Sequence, residues 1–377
     1  MRRRVCYVSG TRADFAPMQR LLRRAHVDPR LELSIYITGM HLSPLYGATV
    51  TVVEDAGLHI GARLPVDLQS TDGGSMARAI AQQLTGMTAV LERDRPSLVL
   101  LMGDRGEMLA GALAAIHLNI PIAHVHGGEL SGTVDEPIRH AISKLSHYHF
   151  TATDGSRHRL IRMGERPENI FVTGAPGLDD LDDTKLIGRE TLCRASGLDP
   201  IKPIALVIFH PVIQTVATAE REMENLLRGV LAAHAQILCL TPNSDAGGSA
   251  IRQSIARFQG RVNVQVATHL ARVEYISWLG AADVMVGNSS SGIIEAATFG
   301  LPVVNVGDRQ HGRERNQNTI DVGPDESAIC HAVTAALRGG RLSHANIYGD
   351  GCAGERIVEL LATLPLNAGL LKKSNAY

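Results

Sequence analysis

Short unbroken apolar runs alternate along this chain with longer stretches in which apolar positions recur every three or four residues. Val5–Ser9, Leu31–Thr38, Ser97–Met102 and Pro121–Val125 read as strands. Ala16–Arg24, Met76–Arg93 and Met108–Leu118 carry helical spacing between them. Strand, helix, strand at such intervals predicts right-handed βαβ units and a parallel sheet. The same grammar resumes near Pro203, with strands at Ile204–Phe209, Gln236–Leu240, Val262–Val266 and Asp283–Val286, and Leu301–Val306 as the last. Helices are expected at Ala219–Ala235, Val273–Leu279, Gly292–Thr298, Glu326–Leu337 and Gly354–Leu361. Gly174–Arg189, rich in Gly, Pro and Asp, is the expected hinge. The fold class is therefore α/β, as two doubly wound domains facing a cleft: one over 1–177, the other over 182–357, with the C-terminal helix of 358–377 packed back on the first. The tail Asn367–Tyr377 reads as a polar end with no evident role.

Composition narrows the function classes. An apolar share of 45 % with 20 % charged residues supports a large aliphatic core and argues against disorder. The 37 basic and 38 acidic residues cancel to a net charge of −1, so no global field points to nucleic acid or an anionic membrane. The longest apolar runs fall far short of the roughly 18 residues that span a bilayer. Arg2–Arg4 leads into no apolar signal segment. Five scattered cysteines without CxxC spacing read as reduced core thiols of a cytoplasmic protein.

Ligands of open parallel sheets sit beyond the strand C-termini, and the polar chemistry of this chain falls there. Gly10-Thr11-Arg12, Gly103-Asp104-Arg105 and His126-Gly127-Gly128-Glu129 follow strands of the first half. His210, Pro242-Asn243, Gly287–Gly292 and Gly307 follow strands of the second. Gly287–Gly292 joins a strand to a helix, so backbone N–H groups with Ser289 and Ser290 suit a phosphate or diphosphate. Glu295, one turn into that helix, suits ribose hydroxyls, and Arg309 suits the diphosphate charge. The loop is neither a Walker loop nor GxGxxG, and no GxSxG elbow offers a serine nucleophile. His124 and His126 share a strand face, but a metal would need a further ligand. His126 is expected as a polar site residue, with His124 packed or hydrogen-bonded. His140, His147 and His149 read as structural. Neither a metal nor a cofactor is expected.

The motifs Gly10-Thr11-Arg12-Ala13-Asp14-Phe15, Thr38-Gly39-Met40-His41, Gly103-Asp104-Arg105 and His126-Gly127-Gly128-Glu129 recur in order with Ser131–Glu136 and Ile138-Arg139-His140. His210-Pro211, Pro242–Gly247, Gly287-Asn288-Ser289-Ser290, Gly307–Gln310 and Gly312-Arg313-Glu314 follow. In these the chain, over residues 4 to 360, resembles the hydrolysing UDP-N-acetylglucosamine 2-epimerases of sialic acid synthesis. The resemblance implies two Rossmann-like domains of GT-B type, nucleotide on the second and most chemistry on the first. Ser289, Ser290, Arg309 and Arg12 would bind phosphates, Glu295 the ribose, and Asn243 and Arg313 further parts of the substrate. Asp104 and Asp135 match family catalytic acids, and His210 a histidine near the leaving group. The chain departs at His126, where sialic acid members carry glutamate. Histidine there resembles relatives acting on UDP-linked diacetamido-trideoxy sugars or GDP-linked N-acetylglucosamine in legionaminic acid pathways.

The implied reaction removes the C2 proton and expels nucleoside diphosphate from C1, giving a 2-acetamidoglycal. Water then adds at C1 while a proton returns to C2 on the opposite face. Because no carbonyl adjoins C2, the C1–O bond must loosen first, with oxocarbenium character stabilised by carboxylates. Asp104, Asp135 and either His126 or Glu129 are expected to handle protons. A GT-B glycosyltransferase, a non-hydrolysing epimerase and a nucleotide-sugar sensor are the alternatives. The implied partners are a nucleotide sugar and a second copy of the chain, as a homodimer or dimer of dimers, with no nucleic acid or membrane.

Overall fold

The computed structural model describes residues 2–68, 72–131, 135–179, 181, 185–242, 247–343 and 345–377. Two compact units emerge. The first comprises Met1–Leu130, Val134–Asp180 and Tyr348–Tyr377, and the second is built on Leu181–Ile347. In the first, β1 (Arg3–Ser9), α1 (Arg12–Val27), β2 (Leu31–Thr38), α2 (Val50–Asp55), β3 (Ile60–Leu64), α3 (Gly73–Asp94) and β4 (Leu98–Met102) follow in order. Then come α4 (Gly106–His117), β5 (Ile122–Val125), α5 (Asp135–Leu145), β6 (Tyr148–Thr151), α6 (Asp154–Arg162) and β7 (Ile170–Val172). All seven strands are parallel, in the order β3-β2-β1-β4-β5-β6-β7.

The second unit runs α7 (Arg189–Ser196), β8 (Ile204–Ile208), α8 (Ala219–Ala232), β9 (Gln236–Leu240), α9 (Gly248–Phe258), β10 (Val264–Ala267) and α10 (Arg272–Ala281). It continues with β11 (Val284–Gly287), α11 (Ser290–Ile294), β12 (Val303–Val306), β13 (Thr319–Val322) and α12 (Glu326–Gly339), before α13 (Ala353–Thr363) rejoins the first unit. Its six parallel strands are ordered β10-β9-β8-β11-β12-β13.

Apolar runs form these strands because each sheet is covered on both faces, so neither set of alternating side chains meets water. On β1, Val5 and Tyr7 join a core with α1 and α13, whereas Cys6 and Val8 join another with α3 and α4. On β8, Ala205 and Val207 face one core and Ile204, Leu206 and Ile208 the other. Several expectations need correction. Leu301–Val306 is not the last strand, since β13 pairs beyond it. The helix expected over Gly292–Thr298 is two pieces, α11 and a 3₁₀ turn at Ala296–Phe299. Three cysteines are core thiols, but Cys330 is half-buried and Cys352 exposed.

The C-terminal tail is no idle polar end. Lys373 Nζ donates to the carbonyls of Ser143, Lys144 and Ser146 at the end of α5 and meets Glu165 at 2.7 Å. Glu165 also meets Lys144 at 2.7 Å and accepts from His149 Nε2 at 3.0 Å. Burial alone would raise the Glu165 carboxyl, but His149, Lys144 and Lys373 outweigh it and hold it at about 2, below its ordinary 4.5. A carboxyl depressed on folding stabilises above its unfolded pKa, and that contribution drains away as pH falls toward the folded one. Glu165 is therefore expected to lend at most about 3 kcal/mol at neutral pH, lost between about pH 4.5 and 2. Glu165→Gln should unfold at lower urea than wild type at pH 7, with the gap narrowing near pH 3. A gap of equal size at both pH values would contradict this.

Candidate active site

In each sheet the strand order reverses next to the first strand of the unit, between β1 and β4 and between β8 and β11. Helices leave toward opposite faces there, opening a crevice beyond the strand ends. Expected site residues follow the strands that flank these points, with Arg12 after β1, Asp104 after β4, His210 after β8 and Ser289 after β11.

In the first unit β1 runs into Gly10 and a capping box. Thr11 Oγ1 accepts from Asp14 N, and the Asp14 carboxylate accepts from Thr11 N at 2.7 Å and Gly10 N at 3.1 Å. Ser9 Oγ donates to Asp14 at 2.5 Å and lies 3.0 Å from His41 Nε2, whose Nδ1 is 2.8 Å from Thr49 Oγ1. Burial pushes the Asp14 carboxyl up to about 6 and the His41 imidazole down to about 4. Gly10 is required here because the Glu107 side chain lies where a Cβ would stand, its Cγ only 2.6 Å away. Arg12 opens α1, half-buried, and its charge further discourages protonation of His41.

Beyond β4 and β5 the side chains form one ionic chain. Asp104 pairs with Arg139 Nη2, Arg139 Nη1 reaches Glu129 Oε2 at 3.4 Å, and Glu129 Oε1 meets His126 Nδ1 at 2.5 Å. His126, Glu129 and Arg139 are all buried. A carboxylate can only accept, so His126 Nδ1 carries the hydrogen in this contact and proton exchange falls to Nε2. His126 also holds a left-handed backbone, φ +63°, uncommon outside glycine. Asp135 begins α5, one turn before Arg139 on the same helix face.

In the second unit Asn288 is the organiser. Its Oδ1 accepts from His210 N at 2.7 Å and its Nδ2 donates to His210 O at 2.9 Å, fastening the ends of β8 and β11. Its own carbonyl accepts from Arg309 Nη1 at 3.1 Å and Gln310 Nε2 at 2.9 Å. Ser289 caps α11, Ser290 opens it, and Arg313 is buried nearby in sequence. Glu295 is already engaged: Oε1 meets Arg272 at 2.5 Å, and Oε2 accepts from Ser291, which also bonds the Tyr275 hydroxyl. Two lone-pair directions per oxygen leave it able to accept more.

The structure thus joins Asp104, His126 and Glu129 in one network, sets Asp135 on the helix that supplies their shared arginine, and joins His210 with Arg309 through Asn288. Asn243, with 244–246 of its motif and 132–134 of the Ser131–Glu136 motif, lies outside the described residues. From sequence, Arg139 stood out only as a charged residue of the Ile138-Arg139-His140 motif, and Asn288 and Arg272 had no assigned role. The available signal for Arg139 was its spacing from Asp135, which puts acid and base on one helix face. No group of three or more metal-ligating side chains occurs among the described residues.

A profile of the UDP-N-acetylglucosamine 2-epimerase family matches residues 23–362. The chain belongs to that family. The UDP-N,N'-diacetylbacillosamine 2-epimerase (hydrolyzing) of Legionella pneumophila is 51 % identical over 377 residues, the whole of both chains. The GDP/UDP-N,N'-diacetylbacillosamine 2-epimerase (hydrolyzing) of Campylobacter jejuni is 32 % identical over 85 % of this chain and 84 % of its own. The structure of UDP-GlcNAc 2-epimerase from Neisseria meningitidis bound to UDP-GlcNAc superposes with a TM-score of 0.80 at 20 % identity, covering 95 % of this chain and 99 % of that one. That last likeness speaks to the GT-B fold of two Rossmann-like units. This epimerase-family chain is an enzyme, a nucleotide-sugar 2-epimerase of the hydrolysing kind.

Proposed function

We propose that this enzyme converts UDP-N,N'-diacetylbacillosamine to UDP and the free 2-epimeric diacetamido sugar. Identity of 51 % to a hydrolysing epimerase of that name, along both entire chains, carries the substrate. Within the site, histidine at position 126, where sialic acid members carry glutamate, supports a diacetamido sugar over N-acetylglucosamine.

Expulsion of UDP from C1 accompanies loss of the C2 proton, and the resulting 2-acetamidoglycal gains hydroxyl at C1 and hydrogen at C2 from water. Net hydrolysis and inversion then arise together. Each Glu129 oxygen is committed, one to His126 and one to Arg139. Glu129 therefore orients the imidazole, and His126 Nε2 is the atom that takes or gives a proton. Asp104 and Asp135 supply negative charge to the oxocarbenium-like ring and the complementary proton transfer. Ser289, Ser290, Arg309, Arg313 and Arg12 take the diphosphate, Glu295 the ribose, Asn243 a further substrate contact, and His210 the bridging oxygen as it leaves. The first unit then carries the chemistry and the second the nucleotide. We further assign the enzyme to diacetamido-sugar, legionaminic acid-type synthesis in the cytoplasm, as a homodimer. Five free cysteines favour a reducing compartment, and light scattering of the purified chain tests the dimer.

Incubation with UDP-N,N'-diacetylbacillosamine in deuterated water should release UDP and free sugar bearing deuterium at C2. UDP-N-acetylglucosamine and its GDP analogue should turn over more slowly. Intact nucleotide sugar after prolonged incubation with all three would overturn the reading, and preference for the GDP sugar would overturn the substrate assignment.

A further inference from the structure

His124 lies fully buried on β5, two residues before His126, and the mechanism above does not use it. Its Nε2 is 2.7 Å from the Gly103 carbonyl, and its Nδ1 is 3.1 Å from Ser143 Oγ. A carbonyl cannot donate, so Nε2 carries the hydrogen and Nδ1 accepts from the serine hydroxyl. That sets the tautomer. Burial keeps the ring neutral, with its pKa pushed down to about 3, so the arrangement persists across the working pH range.

The position of this ring matters more than its chemistry. Gly103 immediately precedes Asp104 and has a left-handed backbone, φ +81°, so the carbonyl that His124 holds belongs to the turn aiming Asp104. Ser143 lies one helical turn beyond Arg139 on α5, the helix that supplies the guanidinium pairing Asp104 and Glu129. The turn after His126 presses on the same pair: a Cβ at Gly127 would fall 2.9 Å from His124 Nδ1 and 3.0 Å from Ser143 Oγ. At the far end, Lys373 of the tail donates to the Ser143 carbonyl at 3.1 Å.

We propose that His124 is a positioning residue: a neutral imidazole clamped between Gly103 and Ser143 that fixes Asp104, His126 and Arg139 relative to one another. This rests on the functional reading above. Both hydrogen bonds join backbone or helix rather than substrate, so the clamp acts on geometry and leaves nucleotide recognition untouched. Misplacement of proton-transfer groups by an ångström can cost about a hundredfold in rate.

The test compares His124→Phe, which keeps the ring and loses both bonds, Ser143→Ala, which loses one, and His124→Gln, whose amide can still donate to Gly103. Wild type is first assayed on the UDP-linked diacetamido sugar. Absence of turnover there would sink the functional reading, whereas the present inference is judged on the ratio of variants to an active wild type. With kcat measured well below each thermal midpoint, His124→Phe and Ser143→Ala should fall about tenfold or more. His124→Gln should retain more activity than His124→Phe, UDP affinity should stay near wild type, and the pH limbs of kcat/KM should shift. Lowered midpoints with unchanged kcat and pH limbs would overturn the inference and leave His124 a packing residue. Should His124→Phe not fold, Ser143→Ala and His124→Gln decide it by the same readings.

Discussion

Asp104→Asn is expected to cut kcat/KM by at least ~10²-fold while UDP still binds. The substitution preserves shape and one acceptor oxygen but removes the negative charge that meets Arg139. Two losses follow. An amide cannot return a proton to the sugar, and it cannot offset positive charge growing at C1 as the diphosphate departs. The guanidinium of Arg139, relieved of the Asp104 carboxylate, also shifts toward Glu129, which perturbs the His126 contact. UDP binding survives because all but Arg12 of the groups assigned to the diphosphate, Ser289, Ser290, Arg309 and Arg313, belong to the second unit, where Asn288 holds Arg309. Asp135→Asn, one turn before Arg139 on α5, is expected to behave alike. Single-turnover rates beside calorimetric UDP affinities check both. A near-wild-type rate in either variant would remove that carboxylate from the proposed chemistry.

Asp104 could be placed from sequence because the strand-end rule is local, whereas its catalytic role and that of Asp135 came through the family motifs. A loop after a buried strand of a parallel sheet is where ligands go, and Asp104, His126, His210 and Ser289 all follow such strands. β1, β4, β8 and β9 were equally legible, since burial on both faces makes an unbroken apolar run. Strands without such runs were not. β7 has three residues and β13 four, with half-exposed positions, and β3 is half-exposed along an edge. Nothing in their local composition separates them from loop. The ionic chain itself was illegible for a different reason. Asp104 and Arg139 are 35 positions apart and meet only because β4, β5 and α5 pack side by side. The role of the tail was hidden likewise, as Lys373 reads as one more solvated lysine until Glu165 is seen beneath it.

Gly287→Ala is expected to destabilise the second unit by about 3 kcal/mol or more and to abolish UDP binding. Gly287 ends β11 opposite Ile208 of β8, with φ at +139°, a conformation that side chains rarely adopt. A Cβ there would stand 2.0 Å from the Ile208 carbonyl oxygen and 2.6 Å from its carbon, both backbone atoms of a central strand. No rotamer can relieve that contact, so β8 and β11 must part at their C-terminal ends. The same Ile208 oxygen accepts from Asn288 N at 3.1 Å, and Asn288 in turn holds His210 and Arg309. Separation of the strands therefore carries off the start of α11, the His210 loop and the arginine together. Strain at one backbone position thus converts into loss of the proposed diphosphate site. Gly292→Ala offers the contrast, since its added Cβ would approach only the tip of Val303, at 3.0 Å, and the Met285 thioether. It should cost far less and keep UDP binding. Urea unfolding and UDP calorimetry on the two variants check the claim, which fails if Gly287→Ala matches wild type in both.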